Sequence, residues 1–414
     1  MLARGLGLVA LAAALLGLVG CGGVAVSDVA EATAGHLTVY SSLPLHGPAA
    51  AASEQIVDGE KLALADAGGR VGPYKIDYAS LNDASPTTGQ WEPGMTEVNA
   101  KVAAQDTSTI AYLGDFDSGA TAVSLPLINA AGILQISPAS PYVGLTSPLD
   151  AGQDEPERFY PSARRTFVRL AGGDVAQAQA QVALMRSLGV KRMYVLDDQD
   201  PFQVPLANLV AEDAQRAGIA VLAHDSIPTV AGSVFTGEVE KVASSHAQAL
   251  FLAGGEGAGT ATLWDELHAA APRMLLLGAS SPLDEAFSSH IDAGAAAVTY
   301  LTAPVLPVAL YPPSAGATLA RYRGVFGRSA SAYALYGYEA MNLVLDAIRR
   351  AGARATDRQT VIEEVLHTTA RNSVLGRYSI DADGEVTPVR FAVERPHDGR
   401  LAFDRAIEVR GTEG

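Results

Sequence analysis

Short runs of β-branched and aliphatic residues alternate with longer amphipathic segments over most of the chain. These runs are LTVY at Leu37, KIDY at Lys75, IAYL at Ile110, ILQI at Ile133, TFVR at Thr166, RMYVL at Arg192, AVLA at Ala220, ALFL at Ala249, MLLL at Met274 and VTYL at Val298. From Tyr112 to Tyr300 their centres are 22 to 34 residues apart, which is the spacing of strand–helix–strand units. Several runs are apolar almost throughout, as in a parallel sheet covered by helices on both faces. The pattern predicts an α/β fold with parallel central sheets.

The segment between Thr166 and Arg192 carries signals for both ends of a helix. Asp174 is the predicted N-cap, Gln177 follows three residues later, and Gly189 is the predicted end. Prolines at 304, 307, 312 and 313 then interrupt the strand–helix pattern, and two helical segments follow over 317–326 and 332–350. We interpret this interruption as a change of lobe.

The last part of the chain alternates apolar and polar residues like hairpin strands. The alternation runs over 376–403, with Asp383-Gly384 and Asp398-Gly399 as turn signals. The sequence as a whole has no internal repeat of 20 to 50 residues.

The first twenty residues have the pattern of a bacterial lipoprotein signal. An apolar stretch follows Arg4, and Leu18-Val19-Gly20 places a small residue directly before Cys21. The 15 residues over 6–20 would span about 22 Å as a helix, less than the ~30 Å hydrocarbon core of a bilayer. An uncleaved short anchor with a structural thiol is the alternative. We predict cleavage and lipidation of Cys21, with the mature protein held by its lipid on the extracytoplasmic face of the cell membrane.

These signals together predict the organisation of the chain. The predicted segments are a signal peptide over 1–20, a tether over 21–35, a first lobe over 36–163, a second lobe over 164–303, a return to the first lobe over 304–377, and second-lobe strands with a tail over 378–414.

The net charge of the chain bears on its partners, and its cysteine content bears on disulfide bonding. The chain has 29 Lys plus Arg against 45 Asp plus Glu, a net charge of −16, which opposes binding to nucleic acid. Cys21 is the single cysteine of the 414 residues, so no intramolecular disulfide can form.

Several motifs resemble chemical sites but lack essential parts. The glycine-rich GGEGAG at Gly254 follows a strand, yet its spacing is not that of a dinucleotide fingerprint, which favours a tight turn beside a ligand cleft. Residues 381–385 resemble half a calcium loop without its twelfth-position glutamate. The eight histidines have no zinc-site spacing, and Ser118 has no local base. We expect no cofactor, no metal and no enzymatic activity. The alternative is a serine nucleophile with a histidine distant in sequence as its base.

Polar, glycine-flanked loops follow successive strands, where open α/β sheets place their ligands. The first is GDFDSGA, in which Ser118 offers a hydroxyl and the next helix, predicted over 119–131, offers free amides to an anion. In the alternative, Asp117 and Ser118 only cap that helix. The second is SPASP at Ser137, where an irregular backbone would leave peptide groups for a ligand, or form a rigid loop. The third pairs DDQDPF, containing Phe202, with GGEGAG; Phe202 could equally belong to the core.

The chain resembles the type I periplasmic binding proteins of ABC importers, specifically the branched-chain amino acid (leucine/isoleucine/valine) binding family. The matching stretches, in order, are GEKLA at Gly59, AGG at Ala67, Asp83, IAYLGDFDSGAT, GILQISPAS, RTFVRLAGGDVAQAQA, GVKRMYVLDD, QRAGIAV and YGYEA at Tyr336. The resemblance covers nearly the whole mature chain. It implies two Rossmann-like lobes joined by three crossings, with a ligand held between them.

The resemblance also implies roles for particular residues. Ser118 and the backbone at Ala139 and Ser140 would hold the carboxylate and ammonium of an amino acid, and Phe202 falls within one residue of an aromatic lid. Ser280 stands where some relatives carry a glutamate for the ammonium group, so we predict that Glu256 takes that part.

The predicted function is therefore capture of an amino acid or related small polar solute by hinge closure and delivery to an ABC permease. The alternative is a lipid-anchored sensor with the same fold and a membrane receptor as its partner.

Overall fold

The computed structural model of the protein describes residues 35–228, 234–255, 257–279 and 284–410. Its strands are β1 (His36–Leu43), β2 (Arg70–Val71), β3 (Tyr74–Asn82), β4 (Thr109–Gly114), β5 (Leu134–Ser137), β6 (Phe167–Arg169), β7 (Arg192–Asp197), β8 (Ala220–Ser226), β9 (Ala249–Ala253), β10 (Leu275–Ala279), β11 (Thr299–Ala303), β12 (Arg371–Ser373), β13 (Gly376–Ile380), β14 (Val386–Thr387), β15 (Val389–His397) and β16 (Arg400–Val409). Each of the ten runs at the predicted strand positions forms or overlaps a strand.

The helices alternate with these strands. They are α1 (Ala50–Asp66), α2 (Pro93–Gln105), α3 (Ser118–Ala130), α4 (Asp174–Ser187), α5 (Val204–Arg216), α6 (Thr236–Ser244), α7 (Gly257–Ala270), α8 (Asp284–His290), α9 (Ala293–Ala296), α10 (Pro313–Phe326), α11 (Tyr333–Ala351) and α12 (Arg358–Leu366). Among the described residues, no helix has both the length and the apolar character needed to span a bilayer.

Two large sheets form the centres of two lobes. The first sheet has the order β2-β3-β1-β4-β5-β6 and is parallel except for β2. The second has the order β16-β15-β11-β10-β9-β7-β8. Its strands pair in parallel, except that β15 pairs antiparallel with both β11 and β16. A small antiparallel sheet joins β12, β13 and β14. The predicted α/β fold with two lobes and central parallel sheets is confirmed.

The chain passes between the two large sheets three times: after β6, after β11, and between β14 and β15. Because β6 pairs with β5, the first sheet extends past residue 164, where the second lobe is predicted to begin. Both predicted hairpin turns are present. Asp383 and Gly384 lie between the antiparallel strands β13 and β14, and Asp398 and Gly399 adopt positive φ between β15 and β16.

One predicted helix cap is wrong. Helix α4 starts at Asp174 itself, and its N-cap is Gly173. The Asp174 carboxylate accepts a hydrogen bond from the Val143 backbone N–H at 2.9 Å, and so it serves a distant loop instead of its own helix. The end of α4 agrees with the sequence, because Gly189 follows it with φ of +76°.

The core of the first lobe contains a buried carboxyl group. Glu60 on α1 is fully buried, and Tyr78 donates its hydroxyl to Glu60 Oε2 at 2.5 Å. Burial raises the pKa of Glu60 from its ordinary 4.5 to about 8, outweighing the Tyr78 hydrogen bond that lowers it. At neutral pH the folded protein therefore keeps a proton on Glu60 that the unfolded chain releases.

This proton predicts a pH-dependent stability. As pH rises from about 5 to 8, the unfolded chain binds fewer protons than the folded protein, so the free energy of unfolding should fall. The melting temperature of Glu60→Gln should depend less steeply on pH over this range. Glu240→Gln, at an exposed position of α6, is the control and should keep the wild-type slope. An unchanged slope in Glu60→Gln would contradict the assignment.

Candidate functional site

The loop after β4 places Ser118 at the first position of α3. Thr121 N–H donates to Asp117 O at 3.0 Å, so the amides before it lie ahead of the first helical hydrogen bond. Asp117 occupies the N-cap position without a side-chain capping hydrogen bond. Ser118 Oγ accepts a hydrogen bond from the Tyr142 backbone N–H at 3.2 Å. The N-terminus of α3 thus has the chemistry of a small-anion site, and Ser118 ties it to the loop after β5.

The loop after β5 is more fully bonded than the sequence predicts. Ser140 N–H donates to Phe116 O at 3.2 Å, and Ala139 N–H donates to Ser137 Oγ at 3.1 Å. Ser140 is buried, with its hydroxyl 3.0 Å from Asp115 O. The expectation that this loop leaves its peptide groups unpaired is wrong for these two N–H groups, and the rigid-loop alternative describes them better.

A buried guanidinium holds this loop to the end of β6. Arg169 is 0% exposed; it donates from Nη1 to Ser140 O at 2.6 Å and Tyr142 O at 3.0 Å, and from Nη2 to Thr146 Oγ1 at 2.6 Å. Its Nε donates to Glu385 Oε1 at 2.8 Å. We call these five residues the Arg169 network. It joins the candidate ligand loop to two segments that lead into crossings.

Helix α4, which packs on strands of the second sheet, adds a second connection to the same loop. Asp174 N–H donates to Pro141 O at 2.9 Å, and the Asp174 carboxylate accepts from Val143 N–H. Burial raises the pKa of Asp174 to about 7, although the nearby Arg169 opposes the shift. The loop after β5 is therefore bonded to both lobes.

Three aromatic residues border the first turn of α3. Tyr142 and Phe202 meet edge to face with ring centroids 5.1 Å apart. A Cβ built on Gly119 would lie 2.3 Å from Trp91 Cζ2 and 3.0 Å from Phe202 Cε2, so only glycine fits there without a shift. We call Trp91, Tyr142 and Phe202 the aromatic cluster. Phe202 follows β7 in the second lobe and Trp91 follows β3 in the first, so the cluster spans the cleft.

Sequence reasoning identified Phe202 but missed Trp91 and Tyr142. Tyr142 also donates its hydroxyl to Glu155 Oε2 at 2.5 Å, which anchors its ring. The available signal for Trp91 was weak: it is one of two tryptophans and lies in a polar loop after a strand.

The two loops of the third predicted ligand region, after β7 and after β9, also meet. Gly255 N–H donates to Asp198 Oδ2 at 2.8 Å, and Asp198 N–H donates to Ala253 O at 3.2 Å. Burial raises the pKa of Asp198. Glu256 and Ser280 lie outside the described residues, as does Cys21. Their predicted roles remain predictions.

A serine, a histidine and an aspartate lie together at the ends of β7 and β8. His224 Nε2 is 2.9 Å from Asp197 Oδ2, and Ser226 Oγ donates to the same oxygen at 2.8 Å. A serine nucleophile needs a hydrogen bond to its base, whereas here both side chains bond to the carboxylate. This grouping therefore has the geometry of a structural network.

The model of the family described as periplasmic binding protein matches residues 39–393. None of the curated proteins matches the sequence.

Solved structures resemble the chain over most of its length. A leucine binding protein, LivK, from Thermotoga maritima is 20% identical with a TM-score of 0.70, covering 90% of this chain and 98% of its own. LivJ from Streptococcus pneumoniae, in complex with isoleucine, is 18% identical with a TM-score of 0.67, and the match covers 91% of this chain and 99% of LivJ. A solute binding protein of an ABC transporter from Rhodopseudomonas palustris, in complex with p-hydroxybenzoic acid, is 14% identical with a TM-score of 0.70. The match covers 91% of this chain and 97% of that protein.

Proposed function

Since the chain belongs to the periplasmic binding protein family, we propose that it captures a small carboxylate-bearing solute between its lobes and delivers it to an ABC permease. The observation that carries this proposal is the meeting of both lobes at the N-terminus of α3. Ser118 and Trp91 come from the first lobe and Phe202 from the second. A solute bound there would contact both lobes and so favour the closed form.

The chemistry of the site supports a ligand with one carboxylate and an apolar body. The free amides at the start of α3 favour an anion, and the aromatic cluster offers apolar surface beside them. Leucine, isoleucine and p-hydroxybenzoic acid, named in the three similar structures, share a carboxylate and an apolar body. An amino acid would in addition need an anionic partner for its ammonium group, for which we propose Glu256.

The mechanism is capture without chemical conversion. The closed form would dock on the permease, and a lipid on Cys21 would hold the protein near it on the extracytoplasmic face of the membrane. The acidic net charge of −16 favours this small-molecule role over nucleic acid as a partner.

A melting-shift panel of amino acids and aromatic carboxylates tests the proposal. A solute at 100 times its Kd should raise the free energy of unfolding by about 2.7 kcal/mol. Ser118→Ala should weaken the active solute by about 1 to 3 kcal/mol, because it removes a hydroxyl beside the anion and the acceptor for Tyr142 N–H. Ser244→Ala is the matched control. The Ser244 hydroxyl donates to Lys241 O at an exposed position of α6, so this variant should leave the affinity unchanged. A panel without any shift would refute the proposal.

A further inference from the structure

A cavity lies at the hinge, away from the α3 site. Its volume is about 360 Å³, within the range of small-molecule sites. Residues next to each of the three crossings line it, including Leu170, Leu306 and Val389. None of the residues predicted to bind the transported solute is among its lining residues.

The walls of this hinge cavity combine apolar side chains with polar groups, and three tyrosines are among the lining residues. Tyr336 and Tyr378 are nearly buried, and their hydroxyls are already bonded within the protein, to Pro304 O at 3.1 Å and Glu339 Oε1 at 2.7 Å. The ring of Tyr311 meets that of Tyr336 edge to face, with centroids 6.5 Å apart. These tyrosines therefore offer ring surface to an occupant while their hydroxyls stay engaged.

Charged groups stand at the rim of the cavity. Arg377 is exposed and forms no ion pair with any residue that the structure describes. Arg390 donates to Leu310 O at 3.2 Å, a neutral acceptor. Glu408 is the carboxylate of the rim, and it is paired with Arg410 at 3.0 Å. Arg390 lies opposite Glu408 in the β15–β16 register, so Arg377 is the guanidinium of the rim that has no ion-pair partner among the described residues.

We propose that the hinge cavity binds an amphipathic anion, a molecule with a compact aromatic or aliphatic ring body and one carboxylate. The ring body occupies the space between Leu306 and the tyrosines, and the carboxylate meets Arg377 and Arg390. Guanidinium groups bind carboxylates through charge-assisted hydrogen bonds, which makes an anion the best match to this rim.

Occupancy of this cavity also acts on the hinge. Its walls include first-lobe residues such as Tyr336 and second-sheet residues such as Arg390, so its shape changes with the angle between the lobes. An occupant that fits one angle better shifts the open–closed equilibrium by its difference in affinity. The hinge cavity is therefore a regulatory site for lobe closure.

The test uses 2-naphthoate as the probe and isothermal titration of the mature protein. Arg377→Gln should raise the Kd of 2-naphthoate by about tenfold, since it removes one charge-assisted contact. Leu310→Trp should abolish binding, because the larger ring fills the cavity from a short surface turn. Arg400→Gln, at an exposed position on β16, should bind like the wild type, and Ser118→Ala should keep the binding step that depends on Arg377.

Each other outcome overturns the proposal. Absence of binding at millimolar 2-naphthoate would refute the site, as would an unchanged Kd in both Arg377→Gln and Leu310→Trp. Loss of binding in Ser118→Ala alone would place the probe at α3. Small-angle scattering tests the hinge: 2-naphthoate should change the radius of gyration of the wild type and leave that of Leu310→Trp unchanged. Binding without any such change would refute the regulatory role.

Discussion

Arg169→Met is expected to lower the free energy of unfolding by about 3 to 5 kcal/mol, because it removes a buried charge from the partners that depend on it. The carbonyls of Ser140 and Tyr142 would lose their guanidinium donor in a place that water does not reach. Methionine keeps most of the side-chain volume, so the effect reports on the hydrogen bonds more than on packing.

Urea unfolding of the wild type and of Arg169→Met measures this difference in the free energy of unfolding. Arg192→Met is the matched control, since Arg192 is exposed at the start of β7, and it should change the free energy of unfolding by less than about 0.5 kcal/mol. The Arg169 variant should also bind the transported solute more weakly, because the loop carrying Ser140 and Tyr142 loses its support. Equal stability of Arg169→Met and the wild type would refute the role of the Arg169 network.

Gly337→Ala is expected to lower the free energy of unfolding by about 3 kcal/mol, because two helices touch backbone to backbone at this point. A Cβ on Gly337 of α11 would lie 2.0 Å from Ile56 O on α1. The reciprocal contact is as close, since a Cβ on Gly59 would lie 2.1 Å from Ala334 O. Neither obstacle is a side chain that can rotate away, so the helices themselves would have to separate.

Gly316→Ala provides the control for this prediction. Gly316 lies on an exposed part of α10 where an added Cβ meets nothing within 4 Å. Alanine should therefore raise the free energy of unfolding by up to about 1 kcal/mol through its higher helix propensity. If thermal unfolding showed the two substitutions to have the same sign, the close crossing of α1 and α11 would be wrong.

The architecture was predictable because it depends on local patterns. The run ALFL became β9 and the run RMYVL became β7, each within a residue or two of its predicted position. Hydrophobic periodicity reports directly on burial, and strand–helix spacing limits the sheet to parallel connections. The turn at Asp398-Gly399 was equally local, because both residues favour positive φ.

Features that depend on distant partners were not predictable. Asp174 has the sequence of an N-cap, yet its carboxylate bonds to Val143, 31 residues away. The loop at Ala139 and Ser140 looked unpaired because its acceptor, Phe116 O, lies on another loop. No spacing rule connects Arg169 with Glu385, which are 216 residues apart and meet only in the folded chain.

The candidate site was predictable in part for the same reason. Strand ends identify the loops that converge, and so Ser118 and Phe202 could be proposed from the sequence. Tyr142 could not, since its place in the site follows from its hydrogen bond to Ser118 and its ring contact with Phe202. No role was predicted for two buried carboxyl groups, Asp83 after β3 and Asp115 after β4, and burial raises the pKa of both.

Lobe closure on a small solute is the central claim, and small-angle X-ray scattering of the protein in solution tests it most directly. A solute that raises the melting temperature should also reduce the radius of gyration, and Ser118→Ala should require more of that solute for the same reduction. A stabilising solute that leaves the radius of gyration unchanged at saturation would contradict closure.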